Sequence, residues 1–238
     1  MRHHVRLAVN GREFRVEGED VFLPLADWLR TLRRATGTKI VCAEGDCGAC
    51  TVLVGRPAGG TIDYRSLNAC ILFLYQLDGA HVITVEGLGA RLNPVQESMV
   101  ENHGAQCGYC TPGFVMAMTG LAASGAKLDE SAVKDGLTGN LCRCTGYEPI
   151  IRAALAVQGR AGTSLDELYP PAVLATMLAD DGDEVRVEAG ARVFAAPSNL
   201  DGALRFKAEV PDAVVVQGGT DVGVAWNKRG VQPRAILS

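Results

Sequence analysis

Cysteine is the residue type that could do chemistry in this sequence. Eight cysteines occur in 238 residues, and they fall into two sets of four. The stretch CAEGDCGAC places Cys42, Cys47 and Cys50 at C-x4-C-x2-C, and Cys70 is the next cysteine along. Three thiolates in one loop with a distant fourth is the plant-type ferredoxin spacing for a [2Fe–2S] cluster. Two irons sharing two sulfides need two thiolates each, from a loop tight enough to wrap the rhomb. Gly45 and Gly48 permit positive φ there and let backbone N–H groups face the sulfurs. Zinc is the alternative, but zinc sites usually pair two C-x2-C-like knuckles, so three ligands in one loop favour iron and sulfide.

The second set is Cys107 and Cys110 in QCGYC, then Cys142 and Cys144 in CRC. Taken alone, C-x2-C with a remote C-x-C fits zinc as well as iron. Beside the first set, a second [2Fe–2S] cluster is the better reading, and it accounts for all eight cysteines. The two halves sit in loops before predicted helices, whose N-terminal partial positive charge suits a thiolate cluster.

The chain as a whole is ordinary for a soluble globular protein: 47% hydrophobic, 21% charged, formal charge −4. That mild acidity gives no reason to expect nucleic acid or an anionic membrane as partner. The start, MRHHVRLAVNGREF, carries charge without an apolar core, so no secretory signal is expected. The longest apolar run, ACILFLY, is too short to span a bilayer. A cytoplasmic location follows as the expectation, and a reducing cytosol turns the cysteines towards metal binding rather than disulfides.

Several elements must position these cysteines. VRLAVNGREFRV alternates on either side of Asn10-Gly11, a β-hairpin signal. LADWLRTLRRA follows with Leu25, Trp28, Leu29 and Leu32 at helical spacing. Beyond the cysteine loop come strands at TVLVG and TIDYR, a short helix over NACILFLYQL that starts near Cys70, and a strand at HVITVEG. This predicts a small mixed sheet with a helix packed across it, over residues 1–88. Residues 89–160 read as four helices. Asn93-Pro94 and Thr111-Pro112 each supply an N-cap and a first-turn proline, Asp129 caps a third helix, and Pro149 opens a fourth. Residues 161–191 read as a linker crossing the surface of other domains. Residues 192–238 begin a third unit, with a helix over NLDGALRFKAEV, a buried strand running into a glycine turn at AVVVQGGTDVGV, and a final apolar AILS without further element.

GTKIVCAEGDCGACTVLV, HGAQCGYCTPGFVMAM and GNLCRCTGYEPIIRAA together resemble the iron–sulfur part of the molybdenum hydroxylases, the xanthine dehydrogenase family, over residues 1–158. The resemblance implies an α+β chain: an N-terminal ferredoxin-like β-grasp domain, a four-helix [2Fe–2S] domain, then the start of an α/β FAD-binding domain. It implies Cys42, Cys47, Cys50 and Cys70 as ligands of the ferredoxin-type cluster, and Cys107, Cys110, Cys142 and Cys144 as ligands of the helical-domain cluster. Gln106 matches a glutamine that contacts the pterin of a molybdenum–molybdopterin cofactor held by a large partner subunit. Val216, Gln217, Gly218, Gly219, Thr220 and Asp221 match the first phosphate-binding segment of the family's FAD domain. That domain is several times longer than what remains here, so the flavin site is expected to be partial in this chain.

The implied function is electron transfer within an oxidoreductase, from molybdenum on the partner through two clusters to FAD, with NAD as terminal acceptor. A flavin segment fused behind the iron–sulfur domains points to the small iron–sulfur/flavin subunit of the xanthine dehydrogenase type. Aldehydes, N-heterocycles and aromatic thioesters are the alternative substrates of relatives. A zinc-stabilised interaction scaffold and a freely diffusing ferredoxin are the competing classes. His3, His4, His81 and His103 do not cluster at ligand spacing and read as surface or hydrogen-bonded side chains, while Trp28 and Phe114 read as core.

Overall fold

The computed structural model describes residues 1–179 and 182–238. Asp180 and Asp181, in the stretch read as linker, lie outside the described residues. Val5–Val9 (β1) and Arg12–Val16 (β2) form the hairpin, turning on Asn10 (φ 50°) and Gly11 (φ 76°). Two central residues at positive φ match the right-handed twist of the flanking strands. Leu25–Asp27 (α1) continues into a wider π-helical turn, Trp28–Leu32, and lays the buried Leu25, Trp28 and Leu29 across the sheet. Thr51–Ala58 (β3) pairs antiparallel with Thr61–Asn68 (β4). Ala80–Ile83 (β5) lies between β1 and β3, parallel to the first and antiparallel to the second. The resulting order, β2-β1-β5-β3-β4, with one helix across it, is a β-grasp sheet.

The helix expected over NACILFLYQL does not form; only Leu74–Gln76 makes a single 3-10 turn. The backbone of this stretch is committed elsewhere. Leu25 N–H donates to Leu72 O (2.7 Å), Ala26 N–H to Ala69 O (3.0 Å), and Leu74 N–H to Leu23 O (3.1 Å). A helical ladder would compete for the same groups. Cys70 therefore sits in a loop, not at a helix start.

Pro94–Glu101 (α2), Thr111–Ala123 (α3), Glu130–Gly136 (α4) and Glu148–Leu155 (α5) follow. Asn93 and Asp129 cap α2 and α4 through side-chain bonds to Gln96 N–H and Ala132 N–H. Thr111 does not cap α3. Cys110, already in helical conformation, takes that position, and the buried Thr111 hydroxyl has no hydrogen-bond partner among the described residues. α3 packs against β3, so Leu53 and Ile83 of the sheet share a core with Phe114, Val115 and Met118.

The stretch read as linker carries two short helices, Leu165–Leu168 (α6) and Pro171–Met177 (α7). It is fastened to the sheet by Tyr169, whose hydroxyl donates to Gly87 O (2.6 Å), and by Leu174 and Leu178, buried with Ala8 and Ile62. Its end, Val185–Ala189 (β6), is already a strand paired antiparallel with Arg192–Ala196 (β7). The last unit thus begins before Arg192, because the hairpin turning at Gly190 needs both arms. Leu200–Glu209 (α8), capped by Asn199, leads to Val214–Val215 (β8). This strand is a two-residue exposed edge, not the buried strand expected. The residues after its glycines form a helix, Thr220–Arg229 (α9). The apolar AILS is also more than a terminus. Ala235–Leu237 (β9) is a buried central strand, parallel to β7 and to β8, in the order β6-β7-β9-β8. A strand buried on both faces has no alternation to betray it.

This second sheet does not stand alone. Val185, Val187, Phe194 and Ile236 belong to the same core cluster as Val5, Leu7, Phe22 and Tyr75. Tyr75 meets Phe194 with ring centroids 5.4 Å apart, and the Arg192 guanidinium lies 4.5 Å from the centroid of Phe22. The last unit keeps a small cluster of its own, around Ala195, Phe206 and Leu237, and shares the rest of its core with its neighbour. Among the described residues no helix is long and apolar enough to cross a membrane.

Candidate metal centres

The loop between the α1 segment and β3 carries Cys42, Cys47 and Cys50. Gly45 (φ 87°) and Gly48 (φ 65°) adopt the positive φ that the composition of the loop anticipates, and Ala43 joins them at φ 55°. Non-glycine residues rarely hold that conformation. The turns aim backbone donors inward. Burial pushes the Cys42 thiol up, but N–H groups of Glu44, Cys47 and Asp46 point at its sulfur, and the balance brings it down to about 7. Cys70 N–H lies 3.4 Å from the Cys50 sulfur. Cys42 and Cys47 interact through their side chains, as do Cys50 and Cys70. Cys50 and Cys70 are buried, the other two half-buried.

The second set is assembled by the ends of α2, α3, α4 and α5. Cys107 and Cys144 lie 3.7 Å apart, Cys110 faces Cys142, and Cys142 is 3.9 Å from Cys144. Burial raises the Cys110 thiol to about 12. Cys142 is brought down to about 7, burial opposing bonds from the Thr145 hydroxyl (3.1 Å) and backbone. Cys142 N–H donates to the Tyr147 hydroxyl (3.0 Å), and Tyr147 itself is held at φ 70°. Cys107 and Cys144 are exposed, as is Gln106 beside them.

At the first centre the thiols pair two and two, as a two-iron cluster requires; at the second, Cys144 lies within 3.9 Å of both Cys107 and Cys142, and there the company of the first centre favours a cluster over zinc. The donor set and the inward N–H groups fit [2Fe–2S] chemistry at both centres.

The centres are also wired to each other. Leu141 N–H donates to Cys47 O (2.9 Å), which joins a residue of the first loop to the neighbour of Cys142. The buried Asn140 side chain donates to Gly48 O (2.9 Å) and to the Thr51 hydroxyl (3.2 Å). Gly113, in the first turn of α3, packs its bare Cα directly on Gly48.

The QGGTD segment places Gly218 (φ 74°) and Gly219 (φ 73°) between β8 and α9. A Cβ at Gly218 would meet open space. Val216 is buried, while Gln217, Thr220 and Asp221 are exposed. This segment lies against the first unit, where Gln76 Nε2 donates to Gly218 O (2.8 Å). Sequence reasoning missed Asn140, Tyr147 and Asn227, whose partners in the first two units include atoms far away in the chain. His81, read as surface or hydrogen-bonded, is hydrogen-bonded and fully buried in the β-grasp sheet. Trp28 and Phe114 are core.

Comparison with known proteins agrees with this architecture. Residues 84–155 match the [2Fe-2S] binding domain family. A xanthine dehydrogenase of Emericella nidulans is 46% identical over 154 residues, covering 63% of this chain and 11% of that protein. Aldehyde oxidase 1 of Oryctolagus cuniculus is 36% identical over 97% of this chain and 21% of its own length. Among solved structures, quinoline 2-oxidoreductase from Pseudomonas putida 86 is 38% identical, covers 65% of this chain and 92% of the matched chain, and superposes with a TM-score of 0.55. Aldehyde oxidoreductase from Desulfovibrio gigas is 30% identical, covers 74% of this chain and 21% of the matched chain, and gives a TM-score of 0.58. The chain belongs to the molybdenum hydroxylase family. It spans between 11% and 21% of the length of the curated relatives it matches.

Proposed function

We propose that this chain is the electron-transfer part of a molybdenum-dependent hydroxylase of the xanthine dehydrogenase type. It relays electrons from a molybdenum–molybdopterin cofactor on a large partner subunit, through two [2Fe–2S] clusters, towards FAD and NAD. The observation that carries this reading is the pair of four-thiol sites, joined by the Leu141 N–H to Cys47 O bond.

When bound, each cluster supplies a centre that takes up and gives back one electron. The chain's own residues do the rest. Cys42, Cys47, Cys50 and Cys70 hold the ferredoxin-type centre. Cys107, Cys110, Cys142 and Cys144 hold the helical-domain centre. Inward N–H groups of Glu44, Asp46 and Cys47 stabilise negative charge at the Cys42 sulfur. The exposed side of the second centre, with Cys107, Cys144 and Gln106, is the side offered to the molybdenum subunit, where Gln106 contacts the pterin. Gly218 and Gly219, in the segment 216–221, supply the backbone turn for the FAD pyrophosphate. The organic substrate is turned over on the partner and meets no residue of this chain. A purine is the proposed substrate; the aldehyde oxidases and quinoline oxidoreductase among the relatives make aldehydes and N-heterocycles the alternatives. The reducing cytoplasm is the proposed location, since eight free thiols must stay reduced until the clusters are built.

The test is metal and sulfide analysis of the chain purified from its native host. The expected result is about four irons and four labile sulfides per chain, two distinguishable paramagnetic signals on reduction, and copurification with a molybdopterin-containing chain. A colourless protein with stoichiometric zinc and no labile sulfide would overturn it.

A further inference from the structure

Helix α9 runs from the glycine turn to the first cysteine loop, and it reaches that loop with one side chain. The half-buried Asn227 directs its amide nitrogen at two carbonyls, Ala43 O at 3.0 Å and Cys70 O at 2.8 Å. An amide nitrogen carries two hydrogens, so both bonds form together and use its whole donor capacity. The two acceptors belong to different halves of the site. Ala43 follows Cys42, of the Cys42/Cys47 pair, while Cys70 belongs to the Cys50/Cys70 pair. Ala43 is also the residue held at φ 55°, a conformation that surrounding structure must enforce in a non-glycine residue.

The rest of α9 is fitted to deliver this contact. A Cβ on Gly223 would lie 2.7 Å from both Ile71 Cβ and Ile71 O, so only glycine lets the helix come this close to the residue after Cys70. Trp226 packs on Phe73 with centroids 5.1 Å apart, and Lys228 pairs with Glu44 at 3.4 Å. Gln76 fixes the other end of the helix through Gly218 O.

We infer that Asn227 is a positioning residue for the ferredoxin-type centre, clamping the Ala43 and Cys70 carbonyls so that the two thiol pairs keep their separation. This rests on the reading of Cys42, Cys47, Cys50 and Cys70 as ligands of a [2Fe–2S] cluster. The helical-domain centre is braced by Tyr147 and the start of α3, while both Asn227 bonds go to the first centre, so the second serves as an internal control in the same molecule.

The experiment compares the wild-type full chain with Asn227→Ala, Asn227→Asp and Asn227→Ser. Asp keeps the shape but faces two carbonyls with no donor, and Ser restores one donor. Each chain is followed by EPR during chelator challenge under reducing conditions and during redox titration. Amide hydrogen exchange of residues 43–47 is measured on the metal-free chains. In Asn227→Ala the ferredoxin-type signal is expected to decay about tenfold faster, the scale on which a partner of a metal ligand acts. Its potential shifts, the helical-domain signal keeps its wild-type behaviour, Asn227→Asp is worse, and Asn227→Ser is intermediate. Wild-type decay, potential and exchange in the Ala and Asp variants would overturn the inference. So would loss of both signals in step, because the clamp acts on one centre. If the wild type holds neither iron nor sulfide, the ligand reading fails instead. The exchange arm then decides the clamp: faster exchange in Asn227→Ala supports it, and unchanged exchange refutes it.

Discussion

His81 makes the folding stability of this chain pH-dependent in a way that can be worked out in advance. Its side chain is fully buried in β5, between the rings of Tyr64 (5.8 Å) and Tyr169 (4.7 Å). Gly11 N–H donates to Nε2 (3.1 Å), so Nε2 carries no proton and the neutral ring bears it on Nδ1, facing the Tyr64 hydroxyl at 2.6 Å. Neither partner is charged, and burial lowers the histidine from 6.5 to about 4. The unfolded chain therefore binds a proton that the folded chain refuses. Stability from this site is complete above the unfolded value and is lost as pH falls from about 6.5 towards 4. Between about pH 7.5 and pH 5 the loss is roughly 2 kcal/mol. The assay is urea unfolding across that range for wild type and His81→Gln, whose amide oxygen can still accept from Gly11 N–H. The variant is expected to be less stable at neutral pH but to lose about 2 kcal/mol less on acidification. Parallel pH profiles, or an imidazole seen by NMR to titrate at its ordinary value in the folded chain, would refute the reasoning.

Gly48→Ala would strain a residue at φ 65° and drive a methyl into Gly139 O and the Asn140 side chain, so a loss of about 2 kcal/mol or more in thermal unfolding is expected, with the two centres forced apart. Tyr147→Phe removes the acceptor of Cys142 N–H at modest cost, about 1 kcal/mol, and should alter the EPR signal of the helical-domain centre while sparing the other. Asp78→Ala takes away the carboxylate that Arg2 grips through both terminal nitrogens (3.0 and 2.8 Å) and leaves a largely buried guanidinium without that anion. Chemical denaturation should register a loss of about 3 kcal/mol.

What could be read in advance was what is local. The cysteine spacing within 42–50 fixes a loop by itself, and the caps Asn93 and Asp129 act within three residues of their own positions. Each of those features needs no distant partner to declare itself. Apart from Thr111, whose cap position Cys110 takes, the errors share the opposite property. The stretch after Cys70 has a helical apolar pattern, yet its carbonyls at Ala69 and Leu72 are taken by the start of α1. β9 is strand only because β7 and β8 flank it. The same holds at the candidate site, where the thiols are legible and their braces are not. Asn227 lies 157 residues from Cys70, and Asn140 lies 92 from Gly48. No spacing rule reaches that far.

Those braces explain why three units converge on one loop. On one side of Cys42–Cys50 the helical unit docks through Asn140, Leu141 and Gly113. From the third unit, Asn227 and Lys228 also reach the loop, and Gly223 packs on Ile71 beside Cys70. A loop with three residues at positive φ in its nine positions would be expected to be supple in isolation. Held by both neighbours, it becomes a pre-organised cage whose donors need not move when charge arrives or leaves. The small second sheet then has a structural role apart from any flavin contact: sharing the first core anchors α9, and α9 carries the clamp. On this view the order of the chain matters mechanically. Detaching the third unit should loosen the first centre even though it supplies none of the eight thiols.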